Sequence, residues 1–114
     1  MSLILKTRDA GGVSIIDLQG RLILGDECNQ LREQVKSLLA ANKKQIVLNL
    51  GEVTFIDSAG VGTLVASFTS AKAQAGELKM ANLTKKFKET LQITRLLTVF
   101  EVYESEAEAV ASFK

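Results

Sequence analysis

At 114 residues, 46% hydrophobic and 24% charged, the chain has the length and composition of one folded globular domain. Its net charge of +1 excludes a strong field for nucleic acid or anionic membranes, and no run nears the roughly 20 apolar residues of a bilayer span. With no histidine and a single cysteine, Cys28, it cannot form a serine-histidine or cysteine-histidine pair, an imidazole or cysteine-cluster metal site, or an internal disulfide.

The first residues, "MSLILKTRD", lack the apolar core and cleavage site of a signal peptide. With one cysteine, this fits a cytoplasmic chain. "LILKTRDAGGVSIIDLQGRLIL" holds two alternating apolar runs around the turn-forming "DAGG", which predicts an N-terminal hairpin. Gly20 punctuates the second run, so "RLIL" is expected as a short further strand, with Asp26 a candidate helix cap. Cys28, Leu31, Val35, Leu38 and Leu39 then recur at helical spacing and predict an amphipathic helix.

"QIVLNL", residues 45–50, reads as a strand buried on both faces and therefore central. Beyond "FIDSAGVGTL", residues 55–64, the apolar positions Val61, Leu64, Val65 and Phe68 define a second helix, with Gly76 as its stop. "ELKMANL" predicts a strand, "KKFKETLQITRLL" a helix anchored by Phe87 and Leu91, "VFEVY" a strand and "ESEAEAVASF" a closing acidic helix. The chain, residues 1–114, is expected to be one α/β domain: a mixed sheet with an N-terminal hairpin and about four packed helices. There is no repeat, linker or proline.

In α/β sheets, ligands and partners meet the edge where strands end and helices begin. Asp57 to Gly62 falls there. The segment matches neither G-x-x-x-x-G-K-[ST] nor G-x-G-x-x-G, because Val65 stands at the third glycine and no lysine follows. It is not the G-x-S-x-G elbow either, since Ile56 occupies the first glycine position. What remains is a serine whose hydroxyl can itself become the anion at a helix start, by phosphorylation. Either Asp57 caps the helix and leaves Ser58 exposed, or Ser58 is the cap and has only that role; pattern leaves the two even. Gly62 reads as a small residue for close helix-sheet approach, and Gly60 is ambiguous.

"IVLNLGEVTFIDSAGVGTLVAS" resembles the signature of STAS domain proteins, in particular bacterial anti-sigma factor antagonists, and the flanking elements follow the same order. The resemblance implies a regulator and not an enzyme, with no cofactor and no metal. It makes Ser58 the phosphorylated residue. Asp57, Ser58, Ala59, Gly60, Val61, Gly62 and Asp26 would be partner-binding. The partners it implies are a serine kinase that is also the anti-sigma factor, and a phosphatase; nucleic acid and membrane insertion are not expected. The unmodified form would bind the kinase and release a sigma factor. The alternative is a docking or sensory module, never phosphorylated, that binds a protein or small ligand.

Two departures from the family pattern stand out. Gly20, Arg21, Leu22 and Ile23 stand where many members read G-E-L-D, which points to a different partner preference, and Ala59 replaces a common second hydroxyl, leaving Thr63 as the nearest other one. "TKKFKET" reads as a solvated helix face more readily than a basic patch, and Glu104, Glu106 and Glu108 as solubilising charge.

Overall fold

The computed structural model describes residues 3–93 and 100–113. Five strands form one mixed sheet in the order β1-β2-β3-β4-β5: β1 (Leu3–Ala10), β2 (Val13–Leu22), β3 (Gln45–Ile56), β4 (Glu77–Ala81) and β5 (Glu101–Tyr103). β1 and β2 pair antiparallel around Gly11 and Gly12, and every later pair is parallel. The helices are α1 (Asp26–Ala40), α2 (Ser58–Ala73), α3 (Lys85–Ile93) and α4 (Glu106–Ala111). The expected hairpin, mixed sheet and four helices are all present, and β3 is central.

Burial follows the strand period. Ile16, Leu18, Ile46, Leu48, Leu78 and Met80 join Leu31, Val35 and Leu39 of α1, Val61 and Leu64 of α2, and Phe87 and Leu91 of α3 in the main core. Val13, Ile15, Val47 and Ala81 form a smaller cluster under Ala109 of α4. Lys79 is buried on that second side. Its ammonium donates to Ser112 Oγ (2.7 Å) and lies 4.3 Å from the centre of the Phe113 ring, so a cation anchors the end of the chain.

Several boundaries differ from expectation. "RLIL" is not a separate strand: β2 runs through Gly20, at φ 112°, to Leu22, and two register shifts against β3 absorb the irregularity. β3 extends past Leu50 to Ile56, because β2 keeps pairing with it. At the end of α2 the left-handed residue is Ala75 (φ 61°), not Gly76; Gly76 is needed because a Cβ there would sit 2.8 Å from the Lys44 carbonyl oxygen.

The closing helix spans only Glu106–Ala111, with Ser105 Oγ accepting from the Glu108 N–H (3.2 Å). Two of the three late glutamates are not free charge. Glu104 pairs with Lys88 at 2.8 Å, and Glu106 with Arg8, which also binds Asp17 at 2.7 Å and so ties α4 to the hairpin. The expected helix end "TRLL" and Val99 of the last strand lie outside the described residues.

Candidate functional site

The sheet carries β3 and β2 together to one edge, where α2 and α1 begin. β3 ends at Ile56, and the Asp57 N–H donates to the Leu22 carbonyl (3.3 Å) at the end of β2. Asp57 itself is extended (φ −101°, ψ −178°), the geometry of a helix cap, and its Oδ1 accepts from the Gly60 N–H at 2.8 Å. Its Oδ2 accepts from the Leu24 N–H at 3.0 Å, so one carboxylate closes α2 and pins the β2-α1 loop. These two main-chain donors, Leu24 first and Gly60 second, hold the Asp57 carboxyl below the usual carboxylate range.

That arrangement decides the question left open by the sequence. Asp57 is the cap, and Ser58 is the first residue of α2, exposed, with no hydrogen-bond partner for its hydroxyl among the described residues. Thr63, the nearest other hydroxyl, is fully buried and donates to the Ala59 carbonyl at 3.0 Å. The turn therefore presents one accessible hydroxyl.

The close approach expected of Gly62 is made by Gly60. A Cβ on Gly60 would lie 2.7 Å from Ile56 Cγ1 and closer still to the Leu22 carbonyl oxygen, so this glycine permits α2 to seat on β2 and β3. Gly62 is exposed with open space around it and does not mediate helix-sheet approach. Gly60 and Val61 are buried, so a partner arriving at this edge meets Ser58, the half-buried Ala59 and Gly62.

Ala59, Gly62 and Thr63 of α2 face Leu24, Gly25, Cys28, Asn29 and Arg32 across a groove of about 350 Å³. Leu24, 76% exposed, was missed as a site residue; it was expected as the last residue of the short strand "RLIL", and instead follows the end of β2 at Leu22. Asp26 does not share this groove. It is not a cap either: Gly25 is the cap of α1, and Asp26 is the first helical residue, lining a groove against Leu3, Ile4 and Leu5. Among the described residues no three acidic or cysteine side chains are grouped as a metal site, and no helix is long and apolar enough to cross a membrane.

The STAS domain pattern matches residues 5–109, and the chain belongs to that family. Its curated relatives are anti-sigma factor antagonists. It is similar to a Bordetella bronchiseptica protein, BtrV, to which the role of anti-sigma factor antagonist is ascribed, at 28% identity over 90% of this chain and 88% of that protein. It is also similar to the anti-sigma-B factor antagonist of Bacillus subtilis, at 32% identity over 63% of this chain and 65% of that protein. The fold matches the Bacillus cell fate determinant SpoIIAA, solved in its phosphorylated form, with a TM-score of 0.73, 20% identity and coverage of 97% of this chain and 100% of that one.

Proposed function

We propose that the chain is a cytoplasmic anti-sigma factor antagonist controlled by phosphorylation of Ser58. The observation that carries this reading is the uncommitted Ser58 hydroxyl at the start of α2, left free because Asp57 performs the capping. The unmodified protein lays this turn, Leu24 and the exposed side of α2 against an anti-sigma factor, which is thereby withdrawn from its sigma factor. That partner is also the ATP-dependent serine kinase, and a phosphatase resets the switch. The kinship with anti-sigma factor antagonists and the phosphorylated form of a protein of the same fold support the reading.

The energetics favour an interface switch over a conformational one. A phosphate adds about −1.5 to −2 charge beside the ionised Asp57. The α2 dipole offsets this by about 0.3 to 1 kcal/mol at most, so the fold is little affected. At an interface shaped for a hydroxyl, steric overlap, desolvation and like-charge contact cost several kcal/mol. Since about 1.4 kcal/mol is tenfold in affinity, that is ample to release the partner. Catalysis by Ser58 is disfavoured because both Asp57 carboxylate oxygens are occupied by main-chain N–H groups and the chain has no histidine to act as base.

Incubation with the cognate kinase and ATP, followed by peptide mass spectrometry, tests the acceptor. Phosphate is expected on Ser58 alone, Ser58→Ala is expected to keep partner binding while refusing phosphate, and Ser58→Asp to weaken binding. Phosphate elsewhere, or a partner held equally well by both forms, would overturn the proposal, and no phosphate anywhere on the chain would favour a docking module that is never phosphorylated.

A further inference from the structure

Two residues of the groove between α1 and α2 have no explanation inside the chain. Gly62 lies within a helix, where glycine is less stable than alanine, yet its backbone is not left-handed and a Cβ there would meet open space. Neither conformation nor internal packing requires a glycine at this position, in contrast to Gly60. What requires it comes from outside the chain.

Arg32 is the second. Among the described residues lining the groove it is the one that carries charge, and it is exposed with no ion pair or hydrogen bond to any described residue. Its helical neighbours three and four positions away are Cys28, Asn29, Val35 and Lys36, none of them acidic, and α2 on the facing side contains no acidic residue. Helical side chains lean toward the helix N-terminus, which directs Arg32 back toward the edge where Ser58 lies. A guanidinium left without a counter-charge, planar and forked, is matched by a carboxylate. Leu24, exposed on the same groove, supplies an apolar surface beside it.

We propose that this groove receives an acidic side chain of the anti-sigma factor: its carboxylate pairs with Arg32, its backbone passes over Gly62, and a neighbouring apolar side chain covers Leu24. This rests on the reading of the chain as an anti-sigma factor antagonist and names the chemistry its partner brings. The occupant follows from position. Ser58 and Gly62 are four residues apart on α2 and share one face, so a protein that engages the Ser58 hydroxyl covers the groove as well. The same placement accounts for release. A phosphate on Ser58 sets negative charge against the partner's carboxylate and competes with it for Arg32, so like-charge contact is built into the interface.

The test is isothermal titration calorimetry of the intact chain with its cognate anti-sigma factor, at low and at high salt, with amide spectra confirming that each variant is folded. Arg32→Glu is expected to raise Kd about thirtyfold or more and Arg32→Lys less than about fivefold, and Arg32→Gln to flatten the salt dependence seen with arginine in place. Gly62→Ala is expected to raise Kd about tenfold although its urea midpoint does not fall. Unchanged or tighter binding by Arg32→Glu, or unchanged binding by Gly62→Ala, with release by Ser58 phosphate intact, would overturn this inference and leave the switch standing. A chain that binds no anti-sigma factor would overturn the reading beneath it as well. Self-association of the chain that Leu24→Asp abolishes would also overturn the inference and assign the groove to a second copy.

Discussion

Two helices start side by side on the same sheet edge and solve the problem of their unpaired N–H groups in opposite ways. α1 begins at Gly25, whose backbone (φ 111°, ψ −140°) lies in a region open almost only to glycine, so no side chain is available there to cap it. α2 begins at Asp57, in ordinary extended geometry, and a carboxylate does the capping. The same carboxylate reaches across to the Leu24 N–H in the loop that leads into α1. The difference teaches that the residue following a good cap is released from structural duty. Ser58 is such a residue, and Asp26, at the equivalent place in α1, follows a cap with no side chain.

The largest expected effect breaks the seating of α2. Gly60→Ala places a methyl into the Leu22 carbonyl and Ile56, and should cost about 3 kcal/mol in urea unfolding, because the obstacle is backbone. Gly62→Ala, two residues on, meets open space and should be neutral or stabilise by up to about 1 kcal/mol as a helical glycine removed. Equal losses at the two sites would mean that close approach is not what distinguishes them. At the other helix, Gly25→Ala forces a side chain into its unusual conformation and should cost about 2 kcal/mol by the same measurement.

A pH series sharpens the contrast next. The Asp57 carboxyl is held low by Leu24 and Gly60, and Asp17 is held low chiefly by Arg8. Depressed folded-state values mean that their stabilisation is fully present above the unfolded aspartate value of about 3.9, and is lost as pH falls through the folded-state values. Urea midpoints should therefore decline below that pH. In Asp57→Asn the decline should be shallower, since only the Asp17 share remains. An unchanged acid limb would show that the double acceptance at Asp57 contributes nothing to stability.

The elements with strong periodicity were legible in the sequence. The α1 stripe of Cys28, Leu31, Val35, Leu38 and Leu39 is buried as its spacing predicts, because helix docking follows from one apolar face. What was not legible depends on neighbours distant along the chain. β3 outruns its apolar core because β2 pairs with it to Ile56, and no local pattern in "GEVTFI" reports that. Lys79 is buried because Ser112 and Phe113, far along the chain, fold over it. At the site, residue types identified the turn. They could not say which of Asp57 and Ser58 was the cap, since both are good ones and the tie was broken by the position of Leu24 and Gly60.

The smallest expected effect is the most discriminating. A serine that caps a helix costs about 1 kcal/mol when replaced by alanine, whereas an exposed residue at the first helical position stays within about 0.5 kcal/mol. Because Asp57 already satisfies the Gly60 N–H and nothing described binds the Ser58 hydroxyl, Ser58→Ala should leave the urea midpoint unchanged within that margin. A loss near 1 kcal/mol would assign the hydroxyl a structural role and make its accessibility to a kinase incidental. A null result, together with loss of phosphate acceptance, would separate the two functions of this turn: stability resides in the carboxylate and regulation in the hydroxyl beside it.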